Sequence, residues 1–598
     1  MPFTSTKLLA VAASLALALV STPLVRALAR RIGMVARPKV DRWHKQPTAM
    51  LGGAAIWLSV VVSNLLFVPR EPYSWVVLGA STFLFMVGLV DDFMHTKPYQ
   101  KLIGQVMGAA FVIYYGLSLP WTRSPAVNMG LTIFWLIGIT NAVNLLDNMD
   151  GLAAGIAAIA SVFLALSFAA GGQPTEALML AVFAAALVGF LVYNFNPASV
   201  FMGDCGSMFI GFFLASTALL SVSGGRSRSF LPVLAVPILI LFIPIFDTTF
   251  VTMVRKLSGR AASQGGRDHT SHRLVALGMT ERRAVLMLYG FAALSGLLAL
   301  FVRQMKFDVS FAAIGVFTVV LTLLGVYLAG IKVYEGEDEA KSGTLAAFLV
   351  DVSYKRRVFE VLLDVVLIIL SYYGAYVLRF GPMSESGTRG IFLRTVPVLV
   401  FAKLAAFLVM GVYRGIWRYT SVDDLVSFAK AVVLGSIISV LVVLFRFRFE
   451  GFSRTVFAMD AMLLFLMLAG SRMAFRFFRH VLPVSQARRD GRRVLIYGAG
   501  DGGELLLREL MNNGEWQYAP VGFVDDDPKK KGKVIHGLRV YGGNGELRTV
   551  CREQRISEVL ISSSRFPAER LQEIRRDCEA ESVTLKRMRI QIEQISEE

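Results

Sequence analysis

Residues 143–155 read VNLLDNMDGLAAG. They join two apolar runs, each long enough to cross a bilayer, and they set Asn144, Asp147, Asn148 and Asp150 at the junction. A carboxylate at membrane depth is costly, so an ionisable cluster beside a spanning segment is by default a functional site. If the flanking runs are spans, the fold is a polytopic helical membrane protein and this junction is part of its working surface.

The rest of the chain supports the spans. Of 598 residues, 55% are hydrophobic and 17% charged, and the mean hydropathy is +0.58. Apolar runs near 7–28, 50–68, 73–93, 103–119, 127–145, 152–171, 176–194, 207–222, 230–252, 284–302 and 309–330 each approach the ~20 residues a crossing helix needs. Four more follow near 358–379, 393–412, 429–446 and 455–475, for about 15 transmembrane helices. The first run, with Lys7 and a small-residue A-L-A, has features of a signal peptide, but the basic cluster after it reads as a cytoplasmic flank and makes it an uncleaved span.

Lys plus Arg outnumber Asp plus Glu by 61 to 43, a formal charge of +18. In a soluble chain this would suggest nucleic acid. Here the excess lies mostly in short loops, where it sets topology and meets anionic lipid, so membrane lipids and no nucleic acid are expected as partners. Arg26, Arg30, Arg31, Arg37, Lys39, Arg42 and Lys45 against Asp41 put the first loop in the cytoplasm. Counting alternately, the loops after spans 3, 5, 7 and 9 and the C-terminal tail are cytoplasmic too. Cys205, Cys551 and Cys578 lie far apart and imply neither disulfides nor a zinc site.

With that topology the polar clusters share one face. GLVDDF ends span 3 with Asp91 and Asp92; NLLDNMDG closes span 5; NFNPASVFMGDCGS sets Asn194, Asn196 and Asp204 between spans 7 and 8; GGRDHTSHRL sets Arg267, His269, His272 and Arg273 after span 9. Taken singly, an Asp pair caps a helix, a lysine snorkels and a histidine sits in a loop. Four such coincidences on one face are less economical than one active site. Carboxylates suit Mg²⁺ or Mn²⁺ bridging phosphates, and Lys101, Arg267, Arg273 and the histidines suit a charged donor and leaving group. That is phosphoryl transfer between a soluble and a lipidic substrate.

VGLVDDF, NAVNLLDNMDGLAAG, NFNPASVFMGDCGSMFIG and PIFDTTFVTMVRK resemble the signature blocks of the polyprenyl-phosphate N-acetylhexosamine-1-phosphate transferases, over about residues 1–330 and including DRWHKQPTAMLGG with His44. The resemblance implies a catalytic set of Asp91, Asp92, Asp204 and His272, with Asp204 and Asp92 at the metal. It implies substrate contacts at His44, Lys101, Asn144, Asp147, Asp150, Asn194, Arg267, His269 and Arg273. The expected substrates are polyprenyl (undecaprenyl) phosphate and a UDP-N-acetylhexosamine, the product UMP, and the setting a bacterial inner membrane. DHTSHRL has two histidines where better-known members have a denser cluster of three, which favours a plain nucleotide sugar over a donor carrying a peptide.

After a charged linker, 331–357, and the four-helix region 358–475, the tail 476–598 reads as a cytoplasmic α/β Rossmann-like domain. VLIYG, then Gly498, Gly500 and Gly503 in G-x-G-x-x-G spacing, then a helical run, is the order a nucleotide site requires. Asp525 ends the next strand, where an acid binds ribose. This half, with GVYRGIWRYTSVDDL, resembles the N-terminal part of polysaccharide-biosynthesis nucleotide-sugar dehydratases. No Tyr-x-x-x-Lys or Met-x-x-x-Lys follows residue 490, so sensing, regulation or assembly is expected of it, with a nucleotide or nucleotide-sugar as ligand and a homodimer as one assembly to test. The alternatives are a bifunctional nucleotide-sugar-modifying enzyme and a transporter or flippase. Transport predicts polar groups at the midplane in broken helices, unlike clusters on one face.

Overall fold

The structure is a computed structural model that describes residues 5–36, 47–94, 96–221, 230–257, 266, 268–305, 307–329, 352–383, 388–413, 422–449, 451–481, 491–512, 516, 518–543, 545–562 and 567–588. His44 and Arg267 lie outside these residues, as does most of the expected linker. The chain forms two compact units, Met1–Leu482 and Pro483–Glu598.

The first unit is helical: α1 (Ser5–Arg31), α2 (Gly52–Phe67), α3 (Pro72–Met94), α4 (Pro98–Tyr114), α5 (Pro125–Leu146), α6 (Leu152–Ala170), α7 (Pro174–Asn194), α8 (Gly203–Leu220), α9 (Phe230–Ile240), α10 (Phe242–Leu257), α11 (Thr270–Ala276), α12 (Glu281–Gln304), α13 (Phe307–Ala329), α14 (Val352–Phe380), α15 (Arg389–Val409), α16 (Val422–Phe447) and α17 (Arg454–Val481). A short antiparallel pair, β1 (Val35–Ala36) and β2 (Thr48–Ala49), precedes α2. Among the described residues twelve helices are long and apolar enough to cross a membrane, fewer than the fifteen expected. The expected span 230–252 is broken instead into α9 and α10 at Leu241, three residues before Pro244, which has no N–H to bond Ile240 across the break. The expected span 103–119 is α4, which Pro98 starts early, so that Lys101 lies in its first turn.

The position of α8 decides where the site falls. This helix is apolar all round and buried along almost its whole length, as a central helix must be. It packs on α2, α3, α5 and α6, and Phe183, Phe209 and Phe213 stack at its side, the Phe183 and Phe213 centroids 4.2 Å apart. Its N-terminus, Gly203 and Asp204, therefore opens at the centre of one end of the bundle. Gly203 has φ +77°, a conformation that favours glycine. At Gly88 of α3 a Cβ would meet the Asp204 carbonyl oxygen at 2.5 Å, so only glycine lets the two helices approach this closely. Asp91 and Asp92, three and four residues on, share that face one turn later.

The later helices join the same unit. Helix α13 packs against α14, and Leu323 and Leu328 share a core with Leu363, Leu367 and Ile368. The two expected membrane regions are thus held together by packing as well as by chain. Between α14, α15 and α17 lie buried charges in pairs: Arg472 donates to both oxygens of Asp364 at 3.0 and 3.1 Å, and Lys403 pairs with Asp460, which also accepts from Ser371 at 2.8 Å. A charge in hydrocarbon needs such a partner.

The second unit is a six-stranded sheet in the order β5 (Val534–Ile535), β6 (Leu538–Gly542), β4 (Tyr518–Asp525), β3 (Arg492–Tyr497), β7 (Glu558–Ile561), β8 (Thr584–Arg587), parallel except for the β5–β6 hairpin. Helices α18 (Asp501–Asn512), α19 (Leu547–Glu553) and α20 (Ala568–Ala580) connect the strands. Because β4 lies on one side of β3 and β7 on the other, the connections reverse direction at the end of β3, where ligands of open α/β sheets bind.

Candidate active site

Asp91, Asp204 and Lys101 come together from α3, α8 and α4. The Lys101 ammonium lies between the two carboxylates, bonded to Asp91 Oδ2 and to Asp204 Oδ2. Asp91 is nearly buried, at 7% exposure, and Thr96 donates its N–H to Asp91 Oδ1 at 2.8 Å. Asp204 is 31% exposed and so meets solvent. Asn144, in the last turn of α5, donates to Asp204 Oδ1 at 2.9 Å and to Ser207 Oγ at 2.7 Å.

Asp92 meets the backbone of the same helix terminus. Its Oδ1 accepts the Asp204 N–H at 2.8 Å and its Oδ2 the Cys205 N–H at 3.0 Å. It supplies from another helix the cap that the first turn of α8 lacks, and places negative charge at the positive end of that helix. Of the two acids it is thus Asp91 that shares a cation, Lys101, with the Asp204 carboxylate, while Asp92 serves the backbone of α8.

The histidine segment is docked by a second set of contacts. Asp247 of α10 accepts the Thr270 N–H at 2.8 Å and the Thr270 hydroxyl at 2.7 Å through Oδ1, and lies 2.7 Å from His269 Nδ1 through Oδ2. Asp268 accepts from Arg255 Nε at 3.0 Å. The His269 and His272 ring centroids are 6.0 Å apart. Ser271 donates to Asn148 Oδ1 at 2.8 Å, which ties α11 to the α5–α6 junction one turn beyond Asn144. Residues from four separate stretches of sequence are thus connected at one end of the bundle.

Three expected substrate contacts have other partners. Asn194 is buried, accepts the Gly151 N–H at 3.1 Å and donates to the Val200 carbonyl at 2.9 Å, so it staples two loops. Arg273 is 4% exposed, donates to the carbonyls of Asp268 and Leu328 at 3.1 and 2.9 Å, and lies over the Phe250 ring, so its charge faces the interior. Asp150 accepts the Ala198 N–H at 2.9 Å and holds the loop before α8. The resemblance puts all three at the substrate, but a sequence does not say which way a side chain points. Asp147, at the end of α5, remains partly exposed beside Asn148.

Asp247 was not expected at the site. Its signal was present, since it is the sole acid between Asp204 and Asp268 and sits in an apolar stretch.

In the second unit Gly498 has φ +105°, and a Cβ at Gly503 would overlap the Gly498 carbonyl oxygen at 1.9 Å, so the loop between β3 and α18 needs both glycines. Gly500 lies between them, near the Lys530 ammonium. Asp525, expected on a ribose, accepts the Ala499 N–H at 2.7 Å, the Asp527 N–H at 2.9 Å and the Lys530 ammonium at 3.0 Å. Burial pushes its carboxyl up, but these donors outweigh burial and hold it below the usual range. Its lone pairs brace the glycine loop, which leaves it poorly placed for a ribose.

A profile of glycosyl transferase family 4 matches residues 74–222, and one described as a CoA-binding domain matches residues 409–586. A probable undecaprenyl-phosphate N-acetylglucosaminyl 1-phosphate transferase of Bacillus subtilis is 34% identical over 286 residues, covering 46% of this chain and 79% of that protein. A decaprenyl-phosphate N-acetylglucosaminephosphotransferase of Mycobacterium tuberculosis is 30% identical, covering 44% and 74%. A phospho-N-acetylmuramoyl-pentapeptide-transferase of Geobacillus is 35% identical, covering 36% and 74%. The matched stretch contains Asp91, Asp92, Lys101, Asn144 and Asp204, and on that likeness the chain belongs to glycosyl transferase family 4, the polyprenyl-phosphate N-acetylhexosamine-1-phosphate transferases.

Proposed function

We propose that the chain moves HexNAc-1-phosphate from a UDP-N-acetylhexosamine to polyprenyl phosphate, releasing UMP, at the cytoplasmic leaflet of a bacterial inner membrane. The observation that carries this reading is Lys101 held between Asp91 and Asp204 at the open end of a central helix. A phosphate oxygen of the lipid attacks the donor's β-phosphorus, and the bond from that phosphorus to the bridging oxygen breaks as UMP leaves. The work of the protein is positioning and charge stabilisation. Lys101 offers a cation to the phosphates, Asn144 holds Asp204 in place, and the α11 segment brings His269 and His272, both nearly buried, to the same end of the bundle.

The donor set fits Mg²⁺ or Mn²⁺. Asp91 and Asp204 present hard oxygens around one cation position, and Mg²⁺ takes one or two carboxylates beside substrate phosphates rather than a closed cage. Bound there, the ion supplies positive charge to the donor's diphosphate. Among the described residues no three His, Cys, Asp or Glu side chains gather as a closed cage.

The test is UMP release by the purified chain with UDP-N-acetylglucosamine and undecaprenyl phosphate. Release that requires both substrates and a divalent cation is expected. Lipid movement without UMP would overturn the reading in favour of a flippase. For the second unit a nucleotide or nucleotide-sugar at the Gly498–Gly503 loop is proposed, and calorimetric titration with UDP-sugars and NAD(P) tests it.

A further inference from the structure

Asp247 divides its two oxygens between two tasks. Oδ1 takes both donors of Thr270, the N–H at 2.8 Å and the hydroxyl at 2.7 Å, while Oδ2 faces His269 Nδ1 at 2.7 Å. The side chain is 1% exposed, so water does not compete for either oxygen. A carboxylate that only accepts requires a proton on Nδ1, which leaves Nε2 as the other ring nitrogen. The backbone at Thr270 and the ring of His269 are thereby fixed by one group. Asp247 acts on the short helix as a cap and on the histidine as a clamp.

We propose that Asp247 is a positioning residue of the transfer site, which fixes His269 in its Nδ1–H tautomer and so reserves Nε2 for the nucleotide-sugar. The proposal rests on the transferase reading for what Nε2 meets, but not for the tautomer. It makes an unusual prediction for Asp247→Asn. The amide has one oxygen, and two Thr270 donors hold it at the Oδ1 position, so the NH₂ group must face His269. Two N–H groups cannot face each other. The ring then turns its Nδ1 lone pair to the amide and carries its proton on Nε2. The substitution keeps size and shape while inverting the histidine.

The test uses the full chain, labelled with ¹⁵N-histidine, in liposomes and read by solid-state NMR near neutral pH. The chain has six histidines, and the signal lost in His269→Gln identifies the one of interest. A protonated Nδ1 is expected in the wild type and a protonated Nε2 in Asp247→Asn. UMP release by Asp247→Asn should fall about 100-fold or more, mainly in kcat, as expected for a ring held in the wrong tautomer. In the His269→Gln background the same substitution should cost less than about threefold, because the residue it acts through is already gone. A wild-type signal with Nε2 protonated overturns the proposal, even if the variant does not fold. So does a full additive loss in the double variant. Should the tautomer invert as expected while the wild type releases no UMP from a UDP-sugar, the transferase reading fails and the positioning role stands.

Discussion

Asp92 caps the helix that carries Asp204, accepting the Asp204 N–H at 2.8 Å, while its neighbour Asp91 shares the Lys101 ammonium with the Asp204 carboxylate. Two adjacent acids thus hold one helix terminus, one serving its backbone and the other its charge. The pair therefore divides into a structural and a chemical member, which substitution can separate.

Asp92→Asn should lower stability by about 1 kcal/mol, the usual worth of a helix cap, together with activity. Asp91→Asn should leave the melting temperature of the detergent-solubilised protein near wild type while UMP release falls. Paired melting and UMP assays check the contrast. Equal melting temperatures with equal activities would remove the distinction.

Asp204→Asn keeps its backbone bond to Asp92, so the fold should survive. The change removes one of the two charges around the shared cation, and UMP release should fall about 100-fold or more. A divalent-metal titration of activity checks the cause. A metal midpoint and turnover like those of wild type would place the metal elsewhere.

The Lys403–Asp460 pair predicts an asymmetric stability result. Asp460→Asn strands a buried ammonium and should cost about 3–5 kcal/mol, whereas Lys403→Met with Asp460→Leu should recover most of that loss. Thermal melts of the wild type and these two variants in one detergent are the measurement. If the double variant is as weak as the single, the pair is needed for more than mutual neutralisation.

Asp525 predicts a pH effect in the second unit. Its carboxyl lies below the ordinary range when folded, so the stability it adds is present above the unfolded value, about 3.9, and is lost as pH falls through the folded value. The isolated Pro483–Glu598 unit has its own buried core. It should melt at lower temperature as pH drops below about 4, and Asp525→Asn should flatten that slope.

A chain ending near Gly330 keeps Asp91, Lys101, Asn144, Asp204, Asp247 and the histidine segment, so it should still release UMP. It also uncovers the faces of Leu323 and Leu328 that meet α14, and should melt below the full chain. No activity in a well-folded truncation would show that the later helices complete the site.

Much of the site was legible because charge stands out against hydrocarbon. DDF, NLLDNMDG and GD announce themselves in this way, and the structure joins all three around Lys101. Direction was not legible. Nothing in NFNPAS says that Asn194 turns inward to Gly151, and nothing in SHRL says that Arg273 reaches back to Leu328, because each partner is distant in sequence and tertiary packing brings it there. The break at Leu241 is not legible in the pattern, because Phe242, Ile243, Ile245 and Phe246 continue the apolar run beyond it. In the second unit the glycine spacing gave the strand, loop and helix order, but the burden on Asp525 depends on Lys530, five residues away on a turn.

The paired charges between α14, α15 and α17 also bear on how the chain is made. Lys403 precedes Asp460 by 57 residues and Asp364 precedes Arg472 by 108. At roughly 5–20 residues per second of synthesis, Lys403 emerges about 3–11 s before its counter-charge exists. Lone ammonium and carboxylate groups at a helix centre resist release into lipid by about 2.5–3.5 kcal/mol each. The early helices of this bundle are therefore expected to linger at the insertion machinery until α17 arrives, and the last-made helix becomes the one that admits the others to the bilayer.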